Sequence, residues 1–172
     1  MSTSKKKISR ILNKTAFKNM MRGAFFTAIY ITTTIIIPFL TFTWIRYLTI
    51  RGIEIGITQK RYEQIVFWVA ALGLVISGCA FFTYSSPKQS IRRGIFSLLQ
   101  IILNCFYIWS YKFSGATEVD FVLIDYGYMS IDLTEMILIY LGVYFLTIIL
   151  KIYDLGDFII NRDKIREERR KF

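Results

Sequence analysis

Histidine is absent from this 172-residue chain, and cysteine and proline occur only twice each. Without histidine there is no imidazole base and no histidine ligand for haem or zinc, and two cysteines are too few for a zinc site. We expect Cys79 and Cys105 to be reduced, apolar residues rather than ligands; the alternative, which their similar depths permit, is a disulfide between them. The glycine-rich loop G-x-x-x-x-G-K-S/T, which binds nucleotide phosphates, is also missing.

No serine or threonine has an evident base partner, so the sequence offers no activated nucleophile. It therefore predicts a protein that is not an enzyme and that has no cofactor or metal. The alternative is an enzyme that uses the carboxylates of Asp120, Asp125 and Asp132. Those acids more simply solvate a loop and cap a helix.

Charged residues are missing from three long stretches and from the core of a fourth. A bilayer core of ~30 Å needs about 20 helical residues. The fourth uncharged core has 15 residues, at 136–150, and spans only if Lys151 snorkels. We predict an all-α integral membrane protein of one domain, residues 1–172, built as a four-helix transmembrane bundle. The predicted spans are about 23–45, 64–87, 94–111 and 132–153.

The positive charges are distributed unevenly along the chain. Of 22 lysines and arginines, 17 lie in 1–22, 88–93 and 151–172, and 5 lie in the two other loops. Cytoplasmic loops carry the excess of lysine and arginine. The sequence thus predicts both termini on the cytoplasmic side, with 1–22 as an amphipathic segment and 154–172 as a polar helix. Which membrane it enters is not encoded in this pattern.

The N-terminal segment places its cations on one helical face: Lys7, Arg10, Lys14, Lys18 and Arg22. A basic amphipathic helix before a span is typical of a helix that lies on the inner leaflet and binds anionic lipids. The same charges would also suit docking on an acidic protein or on RNA. If the protein contacts a nucleic acid, we expect it to be ribosomal RNA.

Polar and small residues recur every three or four positions on each predicted span, which places them on one helix face. We expect these faces to turn inward, because lipid offers no hydrogen bonds. The main interior candidates are Thr34, Ser77, Gln100, Asn104 and Tyr107; Thr41, Tyr140 and Tyr144 share the same pattern. One interpretation is helix-to-helix adhesion, and the other is a narrow path for a small neutral solute. Buried ionisable residues, which proton-coupled carriers need, are missing from the span interiors.

Several residues mark expected helix boundaries and distortions. Pro38 should kink the first span, with Thr34 four residues earlier satisfying freed backbone groups. Ser86-Pro87 should begin the third helix, and Asp132 should cap the fourth. Gly156 should end the fourth helix.

The outer loops contain strand patterns. Alternation at 53–57, and two apolar runs flanking Tyr126-Gly127, predict a short strand and a β-hairpin in the second outer loop. A small sheet could join the two loops. The hairpin is quite apolar, so we predict that Phe121, Leu123, Tyr126 and Tyr128 contact a partner.

The sequence as a whole predicts a non-catalytic, multi-pass structural, scaffold or assembly subunit of a larger membrane complex. Its expected partners are the bilayer, anionic lipids of the inner leaflet and other membrane protein subunits. The first alternative is a small channel or carrier for a neutral solute, and the second is a ribosome or insertion-machinery adaptor. The sequence leaves the partner and the oligomeric state open.

Overall fold

The structure is a computed structural model that describes residues 2–47, 49–50, 53–55, 57–87, 90–123 and 127–161. Side chains are described at 15–47, 57–87, 90–118, 120, 127 and 129–161. The helices are α1 Ser2–Ile31, a π-helical turn Thr32–Ile36, α2 Ile37–Tyr47, α3 Gln59–Ser85, α4 Ile91–Phe113 and α5 Thr134–Ile160. The strands are β1 Thr49–Ile50, β2 Ile53–Ile55, β3 Glu118–Leu123 and β4 Gly127–Asp132.

Four helical segments are long and apolar enough to cross a membrane: Thr15–Tyr47, Gln59–Ser85, Ile91–Phe113 and Thr134–Ile160. Three of them contain the uncharged stretch of a predicted span, and α3 ends two residues before the predicted span 64–87 does. The prediction of four long apolar helices is confirmed. The helices extend past those cores at most ends, because charged and polar residues continue a helix readily once it is nucleated.

Thr58 is the N-cap of α3. It has an extended backbone conformation, and its Oγ1 accepts a hydrogen bond from the Arg61 amide at 3.4 Å. The prediction that Ser86-Pro87 begins the next helix is wrong. Ser86 ends α3, because both its amide and its hydroxyl donate to the Phe82 carbonyl. Ser90 caps α4 instead, with its Oγ accepting from the Arg93 amide at 3.2 Å.

Gly156 does not end the fourth helix, because α5 continues to Ile160. An internal glycine costs a helix only about 1 kcal/mol relative to alanine. Packing of the neighbouring Leu155 opposes that cost: a Cβ built on Gly94 of α4 would lie 2.6 Å from Leu155 Cδ1. The predicted polar helix 154–172 therefore begins as part of α5, and 162–172 lies outside the described residues.

The first helix is also continuous across the predicted boundary between the basic segment and the span. α1 runs through Arg22 and Gly23 without interruption. A helix lying on a membrane surface would need a break before it turned into the bilayer. Within 2–47 the structure places its only non-α turn later, at Thr32–Ile36.

Close helix packing follows chain order: α1 contacts α3, α3 contacts α4, and α4 contacts α5. The buried cluster consists of Ile65, Val69 and Ile76 of α3 with Tyr107 of α4. Within 134–160, α5 has no buried residue. The interior is therefore centred on α3 and α4, and α5 lies at the edge.

The four strands form one antiparallel sheet in the order β1-β2-β3-β4. Strand β2 of the first loop pairs with β3 of the second, with Ile55 opposite Phe121. We call the end of the molecule that carries this sheet the sheet end. The opposite end, where α3 is connected to α4 through 86–90, is called the basic end.

Candidate functional site

The first helix changes its hydrogen-bond spacing just before Pro38. At Thr32–Ile36 the helix is π-helical, and the amide of Ile37 donates to the Thr32 carbonyl five residues earlier. Proline has no amide hydrogen, so Pro38 cannot donate to the Thr34 carbonyl as an α-helix would require. The wider π turn is how this helix accommodates the proline, and it leaves a backbone acceptor to be satisfied.

A tyrosine on α4 donates to that carbonyl. Tyr107 Oη lies 2.7 Å from the Thr34 oxygen, and Tyr111 Oη lies 2.8 Å from Tyr107 Oη. Tyr107 is only 9% exposed. Tyr107 and Tyr111 are four residues apart, so both hydroxyls lie on the same face of α4. This chain of two hydroxyls connects α4 to the distorted turn of the first helix.

The same turn comes very close to α3. A Cβ built on Gly73 would lie 2.6 Å from Ile35 Cγ1 and 3.2 Å from the Thr34 carbonyl oxygen. Only glycine permits this approach without displacement of Ile35. Twelve residues further along α3, the contact is reversed, since a Cβ on Gly23 of α1 would lie 2.9 Å from Ser85 Cβ. The first helix and α3 therefore approach each other closely at both glycines.

A second polar layer lies nearer the basic end. The Tyr30 side chain of α1 interacts with those of Tyr84 on α3, Gln100 on α4 and Tyr144 on α5. Tyr84 also stacks on Phe26, with ring centroids 4.0 Å apart. Side chains from all four helices thus meet in this layer, and Gln100 is 5% exposed.

The remaining predicted interior residues bond mainly within their own helices. Ser77 is 2% exposed, and its hydroxyl donates to the Gly73 carbonyl at 2.7 Å. The Thr34 hydroxyl donates to the Tyr30 carbonyl at 2.7 Å. Asn104 is half-buried. The hydroxyls of Ser77 and Thr34 are therefore directed at their own backbones.

Two residues that the polar pattern turned inward are exposed. Tyr140 of α5 is 56% exposed, whereas Tyr144 is half-buried. Thr41 is exposed, and its hydroxyl donates to the Ile37 carbonyl. The prediction that Tyr140 and Thr41 face the bundle interior is wrong. The Thr41 hydroxyl is hydrogen-bonded within its own helix. The Tyr140 hydroxyl can find a partner at a membrane interface, so neither side chain needs an interior position.

The sheet is fastened to the helices by an arginine that the sequence analysis did not single out. Arg61 in the first turn of α3 pairs with Glu118 at 2.9 Å and with Asp120 at 3.3 Å. Gly115, with φ of +71°, lies against the Arg61 side chain. A positive φ is cheap only for glycine, so the turn after α4 depends on this residue.

Asp132 ends β4 and starts α5. Its Oδ1 accepts from the Thr134 amide at 2.8 Å and from the Thr134 hydroxyl at 2.6 Å. These bonds from the Thr134 hydroxyl and amide lower the pKa of Asp132. The N-cap position is Leu133, which makes no side-chain cap, so Asp132 accepts the first amide of α5 from one residue further upstream than predicted.

Part of the predicted outer contact lies outside the description. Tyr126 is not among the described residues, and for Phe121, Leu123 and Tyr128 only the backbone is described. The register pairs Phe121 with Met129, Leu123 with Gly127 and Val122 with Tyr128. Directly paired residues share a sheet face, so Phe121 and Leu123 are on one face with Met129, and Tyr128 is on the other. Met129 is 51% exposed.

The predicted lipid-binding cations are spread along the first helix. The backbones of Lys7, Arg10 and Lys14 belong to α1, and their side chains lie outside the described residues. Lys18 is exposed and Arg22 is half-buried.

Cys79 and Cys105 are free thiols, with Cys79 buried. Among the described residues, no three metal-ligating side chains come together. No protein-family model, curated protein or solved structure matches the chain.

Proposed function

We propose that this protein crosses a membrane four times, with both termini on the cytoplasmic side, and serves as a non-catalytic structural or assembly subunit of a larger membrane complex. The lengths and hydropathy of the four helices support the crossings. The concentration of 17 of 22 lysines and arginines in the N-terminal segment, the loop at 88–93 and the C-terminal segment supports the orientation.

The observation that carries the structural role is how the interior polar groups are used. Tyr107 donates to the Thr34 carbonyl, and Tyr111 donates to Tyr107. Each of these bonds either joins two helices or supports one that does. A solute path needs polar groups that face a lumen and exchange partners with the solute. We therefore favour adhesion over a neutral-solute path at Gln100 and Asn104.

The sheet supplies the surface that we propose for a partner subunit. Met129 and Ile131 are 51% and 41% exposed, and the register places them on one face of the sheet with Val119 and Phe121. Strand β4 is also an edge of the sheet among the described strands, with backbone groups available for a further strand. Exposed apolar residues beside a free edge are typical of contact surfaces.

The topology can be tested with single cysteines in a background that lacks Cys79 and Cys105. Cysteines at Ser4, Ser130 and Lys171 are labelled in intact cells with a membrane-impermeant maleimide. We expect labelling at Ser130 alone, and labelling of all three after permeabilisation. Labelling of Ser4 or Lys171 in intact cells contradicts the proposed orientation.

The assembly role can be tested by placing a photo-crosslinking amino acid at Met129. Leu146, which is 63% exposed on α5, is a matched apolar position on a helix rather than on the sheet. We expect a discrete protein adduct from Met129 and lipid adducts only from Leu146. A mild detergent extract in which the protein is a stable monomer, together with no adduct at Met129, would refute the role as a subunit.

A further inference from the structure

A cavity of about 440 Å³ opens at the basic end, where α3 ends, α4 begins and α5 passes. Its charged lining residues are Arg93, Lys151 and Asp154. Ser97 and Tyr84 add hydroxyl groups, and Leu155 and Phe158 add apolar surface. Tyr84 also belongs to the second polar layer, whereas the hydroxyl pair of Tyr107 and Tyr111 does not line the cavity. The volume is in the range of small-molecule sites.

The cavity has more positive than negative charge. Among the described residues Arg93 has no ion-pair partner. Lys151 and Asp154 are paired at 3.5 Å, but their side chains are 44% and 67% exposed. A pair that is this open to water is weak, so a stronger anion can compete with Asp154 for the lysine.

A phosphate group suits these donors best. The guanidinium of arginine binds two phosphate oxygens in parallel, and lysine adds a mobile point charge. Arg93 lies in the first turn of α4, and Lys151 directly follows the uncharged stretch 136–150, so both cations flank apolar segments. Lipid phosphates would occupy this depth if the helices span as proposed.

We propose that the cavity binds the phosphate group of an anionic ligand between Arg93 and Lys151. Two sources carry this chemistry: the headgroup of an anionic phospholipid and a soluble phosphate monoester. The lipid source depends on the proposed membrane crossing, whereas binding of free phosphate does not. The site therefore remains testable if the proposed function fails.

The experiment measures dissociation constants of the full-length protein in a non-ionic detergent. The probes are short-chain phosphatidic acid, phosphatidylcholine with the same acyl chains, and inorganic phosphate. The variants are Arg93→Gln and Lys151→Gln. Arg92→Gln is the matched control, because Arg92 loses the same charge one residue away but lies over the rings of Phe82 and Phe96 at 5.5 and 5.9 Å.

We expect phosphatidic acid to bind more tightly than phosphatidylcholine. Each cavity variant should weaken that binding by about tenfold or more, and Arg92→Gln by about twofold at most. Binding of inorganic phosphate as tightly as phosphatidic acid, with the same dependence on Arg93 and Lys151, assigns the site to a soluble ligand. Equal effects of Arg92→Gln and Arg93→Gln, or no preference for phosphatidic acid and no phosphate binding, would overturn the proposal.

A second variant guards against misfolding of the glutamine substitutions. Asp154→Asn removes the negative charge beside Lys151 while keeping the size of the side chain. We expect it to tighten phosphatidic acid binding by about fivefold. Unchanged or weaker binding by this variant, with helix content retained by circular dichroism, counts against a phosphate between the two cations.

Discussion

Replacing Tyr107 with phenylalanine removes one oxygen atom and tests whether a hydroxyl satisfies the proline-distorted helix. The Tyr107 hydroxyl is 2.7 Å from the Thr34 carbonyl, which Pro38 cannot reach with an amide hydrogen. An unsatisfied buried carbonyl costs about 1–3 kcal/mol. Interhelical polar contacts in membrane proteins average about 0.6 kcal/mol, with a maximum of about 1.7. We expect Tyr107→Phe to lower the free energy of unfolding by about 1–2 kcal/mol.

Two matched controls isolate the bond. Tyr111→Phe removes the donor to Tyr107 and leaves the bond to Thr34 in place, so it should cost about 0.5 kcal/mol. Tyr153→Phe alters a tyrosine that is 73% exposed and should have no measurable effect. Unfolding by a graded denaturing detergent in mixed micelles, followed by far-UV circular dichroism, gives the free energies.

The decisive comparison is a double-mutant cycle with Pro38→Ala. Alanine restores an amide hydrogen that can donate to the Thr34 carbonyl, so Tyr107→Phe should then cost about 1 kcal/mol less than in the original chain. If the cost of Tyr107→Phe is the same with proline or alanine at position 38, the carbonyl is not the group that Tyr107 satisfies. A cost equal to that of Tyr153→Phe would refute the bond itself.

Three further predictions follow from other contacts. Gly73→Ala should destabilise the fold by about 1–3 kcal/mol through overpacking, whereas Gly142→Ala, which meets nothing within 4 Å, should not; thermal unfolding in detergent compares them. Hydrogen bonds from Thr134 lower the pKa of Asp132. The carboxylate therefore stabilises the fold above its unfolded pKa, and this contribution is lost as pH falls through the folded pKa. Asp132→Asn should reduce the loss of stability at acid pH, and an unchanged profile of stability against pH would contradict this prediction. Arg61→Gln should lower the free energy of unfolding by less than about 1 kcal/mol, because the side chains of Arg61 and Glu118 are 33% and 52% exposed. The substitution should also reduce the salt dependence of stability. A loss of stability that is the same at low and high salt would count against these ion pairs.

The helix ends show where local sequence signals were sufficient and where they were not. The cap at Thr58 is a local signal, because its side chain needs only the amide of Arg61, three residues away. Ser86 and Ser90 carry the same side chain four positions apart, and both precede or follow a helix. Which serine caps α4 depends on where α3 ends. Helix α3 ends at Ser85, and Ser86 bonds back to the Phe82 carbonyl as its C-cap.

The polar faces were predictable for α4 and only partly for α5. Gln100, Tyr107 and Tyr111 recur at helical spacing and lie in the interior because α4 has neighbours on both sides, α3 and α5. Helix α5 packs closely against one of the other long helices, α4. Only one narrow stripe of the α5 surface is therefore covered. Tyr140 and Tyr144 are equivalent by periodicity, yet only Tyr144 belongs to that stripe.

The cavity at the basic end left no sequence signal of its own. Arg93 and Lys151 are 58 positions apart, and each is adequately explained as a charged residue at the end of an apolar helix. Their joint lining of one cavity follows from the close packing of Gly94 with Leu155. The sequence could have indicated this cavity only through a comparison of how deep in the membrane each predicted helix ends, which would place Arg93 and Lys151 at the same level.

The amino-acid sequence alone determined the number of the long apolar helices and the position of their uncharged cores, because hydropathy over about 20 consecutive residues is a local property. It also located the distortion near Pro38, since a missing amide hydrogen acts within one turn. The tertiary structure decided what satisfies that distortion, because the donor, Tyr107, is 73 residues away and reaches Thr34 only when α4 lies against the first helix. It likewise decided which strands pair across the two loops, because that register depends on where the helices bring their ends together.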